Sequence, residues 1–325
     1  MRATAHDVGR LAGVSVSTVS RALTAPDKVS PDTRRRVLES AEQLGYRPSR
    51  AARDLATGRT ENIGLVIPDL ENPYFSSITK AVHARAHALG FHLFVTDTDE
   101  DPRQEPDVIR RLARDVDGII LCSPRTDTDQ LLAHARETRI VLVNRETEGL
   151  DTVVPDNADG VRQALRHLAA LGHREVAYAG GPGRSWADAQ RRVAVATVGA
   201  ELGLSTHDLG TFMPYFSGGV AAADLLLASP ATAVVVFNDL MALGLLDRVK
   251  GRGVEVPRDL SIVSFDDIMF ASAVTPHLSS VAFPNRLMAR QAIELLLADD
   301  GSAPARHLLP MELKVRASSG PAPTQ

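Results

Sequence analysis

Asp7-Val8-Gly9-Arg10-Leu11-Ala12-Gly13-Val14-Ser15-Val16-Ser17-Thr18-Val19-Ser20-Arg21-Ala22-Leu23 is the stretch whose reading decides the fold of this 325-residue chain. It predicts a helix, a tight turn at Gly13-Val14 and a second helix, with Val8, Leu11, Ala12, Val14, Val19 and Leu23 at core-like spacing. Thr4 is placed to cap the first helix, with Asp7 completing a capping box. Ser15 is placed to cap the second. Val16, Ser17 and Arg21 then face outward on a helix of small polar residues. That is a helix-turn-helix, whose second helix fits the major groove of double-stranded DNA. Arg21 has the reach and geometry for guanine O6 and N7, and Val16 for a thymine methyl, with Ser17 beside them at the base edges. Ser15, Thr18 and Ser20 suit phosphate oxygens. The competing reading is a generic small helical bundle.

Outward from this stretch, Ser30-Pro31 opens a third helix, with Val37, Leu38, Ala41 and Leu44 as its apolar stripe and Gly45 at its end. Residues 1–59 carry eleven Lys or Arg against six Asp or Glu, a charge of about +5; the whole chain is at −4, so about −9 falls on the rest. A small basic head on an acidic body fits a polyanion-binding module. Residues 49–56 are helix-compatible but too short to be stable alone. Thr57-Gly58-Arg59-Thr60 reads as a joint.

From Ile63 onward, short apolar runs (63–67, 91–95, 118–121, 140–143, 176–179, 233–237 and 260–265) alternate with helical stretches. The latter lie near 75–89, 103–114, 128–137, 157–171, 187–202, 217–228, 239–252 and 285–298. Such alternation predicts parallel sheets with helices on both faces, and the length suits two lobes. The end of the chain, 318–325, is rich in Ser, Gly and Pro and reads as a disordered tail. Cys122, the only cysteine, rules out an internal disulfide and a cysteine-based zinc site. No apolar run is long enough to span a membrane, and the polar N-terminus lacks a secretory signal. The expectation is a cytoplasmic protein with no membrane partner, cofactor or metal.

Asp7–Leu23, then Val29-Ser30, Thr33-Arg34 and Leu44-Gly45-Tyr46-Arg47-Pro48, resemble the headpiece of Lac-repressor-type regulators. Gly9 departs from the family's usual alanine. The resemblance continues through Ile63–Pro68, Asn72-Pro73-Tyr74-Phe75, Val116–Ile120, Asp156-Asn157, His167–His173, Ala179–Pro182, Asn238–Gly244 and Ser264–Ile268. It implies a sensor similar to periplasmic sugar-binding proteins, two Rossmann-like lobes with a ligand between them. It also implies a hinge helix ordered on operator DNA, with Ala52 and Leu55 at the positions that enter the minor groove. An apolar wedge there parts a base step and kinks the duplex; the plainer reading of Leu55 is helix packing.

By position, the resemblance assigns Phe75, Arg191, Asn238 and Asp266 to the effector, with Asn144, Asp156, Trp186 and Phe283 as weaker candidates. A guanidinium and a carboxylate suit neighbouring hydroxyls through paired hydrogen bonds. Each has a plainer reading: a helix cap for Asn238 or Asp239, a turn cap for Asp266, a surface arginine at 191, surface packing for Trp186. Ala194-Val195 replace the family's usual Gly-Phe, and Asn144 stands where many members carry Asp, so the pocket is expected to have its own shape.

The domains expected are a helix-turn-helix domain at 1–48, a hinge helix and linker at 49–60, a two-lobed effector domain at 61–317 and the tail. The function expected is a sequence-specific repressor. It binds a pseudo-palindromic operator as a homodimer and answers a small-molecule effector, a sugar or derivative. A nucleoside- or purine-responsive corepressor-dependent regulator is the alternative. A solute-binding protein is opposed by residues 1–56. An enzyme is opposed by the lack of a phosphate loop, nucleophile elbow or metalloprotease helix.

Overall fold

In the computed structural model of this chain, the described residues are 3–24, 26–46, 60–298 and 303–323. Contacts divide it into two units, Met1–Asn62 with Asp115–Asp117, and the remainder. The hinge candidates Ala52 and Leu55 lie outside the described residues.

The first unit carries helices α1 (Ala5–Ala12), α2 (Val16–Thr24) and α3 (Pro31–Gln43). Thr4 and Asp7 form the expected capping box, and Ser30 caps α3 with Pro31 in its first turn. Gly13 closes α1 at φ 68°, a left-handed conformation that glycine adopts without strain. Val8, Ala12, Val19, Ala22, Val37 and Ala41 make the core. Leu11, Leu38 and Leu44, expected inside, are instead 48%, 43% and 36% exposed. Three short helices enclose a core one residue wide per turn, and the flanking apolar positions stay at its rim. Gly9 is explained by closeness: a Cβ there would lie 2.8 Å from the Val14 carbonyl oxygen.

The second unit holds two six-stranded sheets. One has the order β11-β5-β4-β3-β1-β2, from β1 (Asn62–Ile67), β2 (His92–Asp97), β3 (Gly118–Cys122), β4 (Ile140–Val143), β5 (Asp151–Pro155) and β11 (Arg306–Leu309). The other has the order β12-β10-β9-β8-β6-β7, from β6 (Glu175–Gly180), β7 (Ser205–Thr211), β8 (Ala233–Val236), β9 (Ser261–Asp266), β10 (Ser279–Ala282) and β12 (Glu312–Lys314). Ladders β1–β3, β3–β4, β6–β8 and β8–β9 are parallel, and β10–β12 is antiparallel. The central strands are buried along their whole length, as sheets covered on both faces require. The helices are α4 (Pro73–Ala88), α5 (Glu105–Leu112), α6 (Thr128–Ala135), α7 (Asn157–Ala170), α8 (Trp186–Glu201), α9 (Phe216–Leu227), α10 (Asp239–Gly251) and α11 (Asn285–Leu297). The chain passes between the sheets after β5, after β10 and after β11, so each lobe is built from separated segments. The first lobe carries β1–β5 and β11. Among the described residues, no helix is long and apolar enough to cross a membrane.

For residues 318–323 the expected disorder is corrected by their hydrogen bonds. Ser318 is fully buried. Its hydroxyl donates to the Ile262 carbonyl at 2.6 Å and accepts from Ser279 N at 2.8 Å. Gly320 N donates to Ser261 Oγ, and Ala322 N to the Leu171 carbonyl. His173 reaches Thr232, Ser261 and the Gly320 carbonyl. Backbone and hydroxyl groups hold this segment, so its apolar content says little about its order.

Candidate functional site

On α2 the outward face is as the sequence indicates. Val16, Ser17 and Arg21 are exposed, Val16 to 44%. Ser15 is exposed, and Thr18 and Ser20 are half-buried. The Ser15 hydroxyl accepts from Thr18 N at 3.2 Å, capping the helix, and also meets the Ser17 and Thr18 hydroxyls. Arg21 lies back along the helix, Nε donating to the Ser17 carbonyl at 3.2 Å. Arg10 pairs with Asp7, and Arg35 with Asp32; Arg21 has no carboxylate partner among the described residues. A second, longer bond runs from Arg21 Nη2 to Ser17 Oγ at 3.5 Å, so its guanidinium can exchange two weak local bonds for a stronger partner.

In the second unit, loops at the carboxyl ends of strands from both lobes converge on one cavity, the place where parallel α/β sheets bind ligands. Phe75, Arg191, Asn238, Asp266 and Asn144 all line it. The cavity is small, about 30 Å³, room for about two water molecules. Entry of a sugar-sized molecule therefore requires the lobes to part.

The backbone at its rim is strained. Glu100, Ser123, Asn144 and Asp266 have φ of 54°, 48°, 60° and 104°, left-handed values that non-glycine residues rarely adopt and that cluster at functional sites. Each stands at or just beyond the end of a strand, where the chain turns sharply and aims a polar side chain into the cavity. The Asn144 amide donates to Ser123 Oγ at 2.7 Å.

Arg191, on α8, is 2% exposed. Its Nε donates to Asn157 Oδ1 at 2.8 Å and Nη1 to the Phe237 carbonyl at 2.6 Å. Its guanidinium carbon lies 3.9 Å from the centroid of the Phe265 ring, a cation–π contact. The surface-arginine reading fails, and Nη2 remains as the donor without a hydrogen-bond partner among the described residues. Asp266 sits at the end of β9 with no donor to its carboxylate among those residues. Burial in the closed cleft, reinforced by Asp239 and opposed by Arg191, pushes its carboxyl up to about 8. Asp239 behaves differently. Ser264, Ser280 and Ile268 N all donate to it, yet burial still pushes it up to about 6. It is a strut beneath the site.

Asn238 caps α10, accepting from Met241 N and donating to the Pro214 carbonyl, both at 2.9 Å. The capping reading is thus right, although the residue also borders the cavity. Phe75 is buried with its ring 5.0 Å from that of Tyr74. Phe283 packs behind, 5.0 Å from the same tyrosine ring, and does not line the cavity. Neither does Asp156, which caps α7 through Asp159 N, nor Trp186, half-buried at the start of α8.

Sequence reasoning missed Tyr74, Glu100 and Arg125, which also line the cavity. Tyr74 Oη, Arg125 Nε and Asn144 Oδ1 are buried without a hydrogen-bond partner. Such atoms cost about 1–3 kcal/mol each, and all three belong to residues lining this one cavity. No cluster able to hold a metal exists among the described residues.

Comparison with known proteins agrees with both halves. Residues 4–49 match the model for bacterial regulatory proteins of the lacI family, and residues 165–319 match a periplasmic binding protein-like domain. The transcriptional regulator DegA of Bacillus subtilis (strain 168) is 32% identical, with 99% of each chain covered. A solved complex of the transcriptional regulator CelR with cellobiose is 30% identical, covering 98% of this chain and all of that one, with TM-score 0.73. The lac repressor dimer bound to operator and the anti-inducer ONPF is 25% identical over 98% of this chain and 100% of that one, with TM-score 0.83. With an arginine on the exposed face of α2 and, in the second unit, two α/β lobes that share a cavity, this chain belongs to the lacI family of bacterial regulatory proteins and is a DNA-binding transcriptional regulator, not an enzyme.

Proposed function

We propose that this regulator is a repressor that binds a pseudo-palindromic operator as a homodimer and is controlled by a small polyhydroxylated effector, a sugar or close derivative, held between the two lobes. One observation carries the effector half: Tyr74 Oη, Arg125 Nε and Asn144 Oδ1 are unpaired in one buried cavity that also holds Arg191 and the donor-free Asp266. Hydroxyl groups, which both donate and accept, answer that mixture better than any apolar ligand.

In this reading Val16, Ser17 and Arg21 contact base edges, and Ser15, Thr18 and Ser20 contact phosphates. Residues 49–60 are the hinge, ordering on operator with Ala52 and Leu55 in the minor groove. The effector alters operator affinity only as far as it binds the two conformations unequally. The test is in vitro selection of operator sequences, followed by binding measurements across salt concentrations. Enrichment of a two-fold symmetric site is expected, with affinity falling about 10³–10⁵-fold between roughly 50 and 200 mM salt. Enrichment of no symmetric sequence, or a flat salt response, defeats the proposal.

A further inference from the structure

The cleft contains two arginine–carboxylate couples, one from each lobe. Arg191 and Asp266 belong to the lobe of β6–β10. Arg125 and Glu100 belong to the other, on the loops after β3 and β2. The Arg125 and Glu100 side chains are 7% and 2% exposed. Arg125 Nη1 meets Glu100 Oε2 in an ion pair, while Arg125 Nε has no hydrogen-bond partner. Unpaired Tyr74 Oη and Asn144 Oδ1 come from the same lobe.

A buried ion pair sometimes serves only to hold a loop. Here the loop is already held by other groups. Glu105, 4% exposed, accepts from Arg125 N, Thr126 N and Thr126 Oγ1 at 2.9, 2.8 and 2.6 Å. Arg145 donates to the Pro124 and Thr126 carbonyls at 3.0 and 2.5 Å. The Arg125 guanidinium is therefore not what holds the loop, and its Nε has no hydrogen-bond partner. Its surroundings are acidic. Asp69, 8% exposed, and Glu105 both act on Glu100, and Asp69, Asp99 and Glu100 all act on Tyr215. Against these carboxylates Arg125 is the cation, and Glu100 already neutralises it.

We propose that the Arg125–Glu100 pair is a specificity-determining subsite that takes a pair of neutral hydroxyls, so that the cleft accepts an unmodified sugar and rejects its phosphorylated counterpart. The proposal rests on the reading of this cavity as a sugar site. One hydroxyl accepts from Arg125 Nε while its neighbour donates to Glu100, and Asn144 Oδ1 takes a further hydroxyl proton. A phosphate seated on this couple brings roughly −1.5 to −2 charges beside a pair already neutral, while Arg191, the cation of the other lobe, is engaged by Asn157, the Phe237 carbonyl and the Phe265 ring; buried charge without its own partner is strongly disfavoured.

The test is calorimetry on the full-length protein with D-glucose, D-galactose, D-ribose and cellobiose. The 6-phosphates of the two hexoses, ribose 5-phosphate and hypoxanthine complete the panel. At least one free hexose or pentose is expected to bind, with its phosphate ester about a hundredfold weaker or more, the equivalent of two lost polar contacts. Glu100→Gln is expected to weaken the free sugar about tenfold and to narrow its advantage over the phosphate. Arg125→Gln is expected to weaken the free sugar similarly with no gain for the phosphate. A loop-holding role alone would weaken both ligands in proportion. An unchanged ratio in Glu100→Gln, or equal binding of sugar and phosphate by the unaltered protein, overturns the subsite. Binding of hypoxanthine alone, or of no compound in the panel, removes the sugar reading of the cavity itself and the subsite with it.

Discussion

Asp266→Asn gives the sharpest view of how the cleft is built. The substitution keeps the side chain's size and removes its titration. Burial raises the Asp266 carboxyl from 3.8 to about 8. The folded protein thus holds a proton that the unfolded chain has released. The stability from that proton is complete below pH 4 and is lost as pH rises towards 8. Within that window each pH unit costs about 1.4 kcal/mol, so between pH 5.5 and 7.5 the native protein loses roughly 3 kcal/mol through this group. That is an upper limit, because opening of the lobes rehydrates the carboxylate. Asp239, raised to about 6 by burial, adds to the same trend. His167 and His173, lowered by burial, oppose it below the ordinary histidine range.

Comparing the two proteins at both pH values removes most of those contributions. Asp266→Asn should melt above the unaltered protein at both pH values, and its advantage should be about 5–10 °C larger at pH 7.5 than at pH 5.5, at roughly 2–4 °C per kcal/mol for a domain of this size. Thermal melts followed by circular dichroism read this directly. An equal difference at the two pH values would show that Asp266 is hydrated and ionised in the folded protein, and that the closed, dry cleft is wrong.

Other outcomes follow from the same geometry. Arg21→Ala should relax the preference at one base pair of each half-site by about 1–3 kcal/mol with little change in random-sequence binding; uniform loss across sequences would make Arg21 a phosphate contact. Thr4→Ala, which removes the capping-box hydroxyl, should destabilise the head by about 1 kcal/mol, seen as a lower urea midpoint for the head's transition. Truncation after Ala317 strips partners from His173, Ser261, Ser279 and Ile262. At about 1–3 kcal/mol for each buried group left unpaired, it should lower the melting temperature of the sensor by more than 5 °C, or roughly 2 kcal/mol. An unchanged melt would mean that the tail is dispensable.

Much of the fold was legible because it rests on periodicity. The seven apolar runs between Ile63 and Phe265 are strands, and the eight helical stretches are helices, with ends shifted by a residue or two. The strands that escaped notice, β5, β7, β10, β11 and β12, are short or lie towards sheet edges, where a strand carries fewer apolar residues. β7 reads Ser-Thr-His-Asp-Leu-Gly-Thr and buries no residue completely. Leu11, Leu38 and Leu44 misled because helical spacing reports a face, and the core of three short helices is narrower than that face.

In the cleft, Arg191 and Asp266 stand where the family resemblance points. Glu100 and Arg125 sit in the polar runs Asp97–Glu105 and Ser123–Asp129, which look like any solvated loop. What makes them part of a site is burial 25 residues apart in sequence, which no local pattern encodes. Tyr74 was within reach, since it adjoins Phe75 at the start of α4. Its unpaired hydroxyl is a property of the packed cavity, which the sequence does not display.

The central claim is that one ligand in the cleft and one operator on the recognition helices compete for, or share, a single conformational equilibrium. Linkage makes it measurable from both ends. With the tightest-binding sugar of the panel and the selected operator, operator affinity is measured with and without saturating sugar, and sugar affinity with and without saturating operator. The account predicts that both ratios are the same and that, for a repressor released by its effector, each ligand weakens the other about 5–150-fold. Sugar binding that leaves operator affinity unchanged, and is itself unchanged by operator, would contradict it.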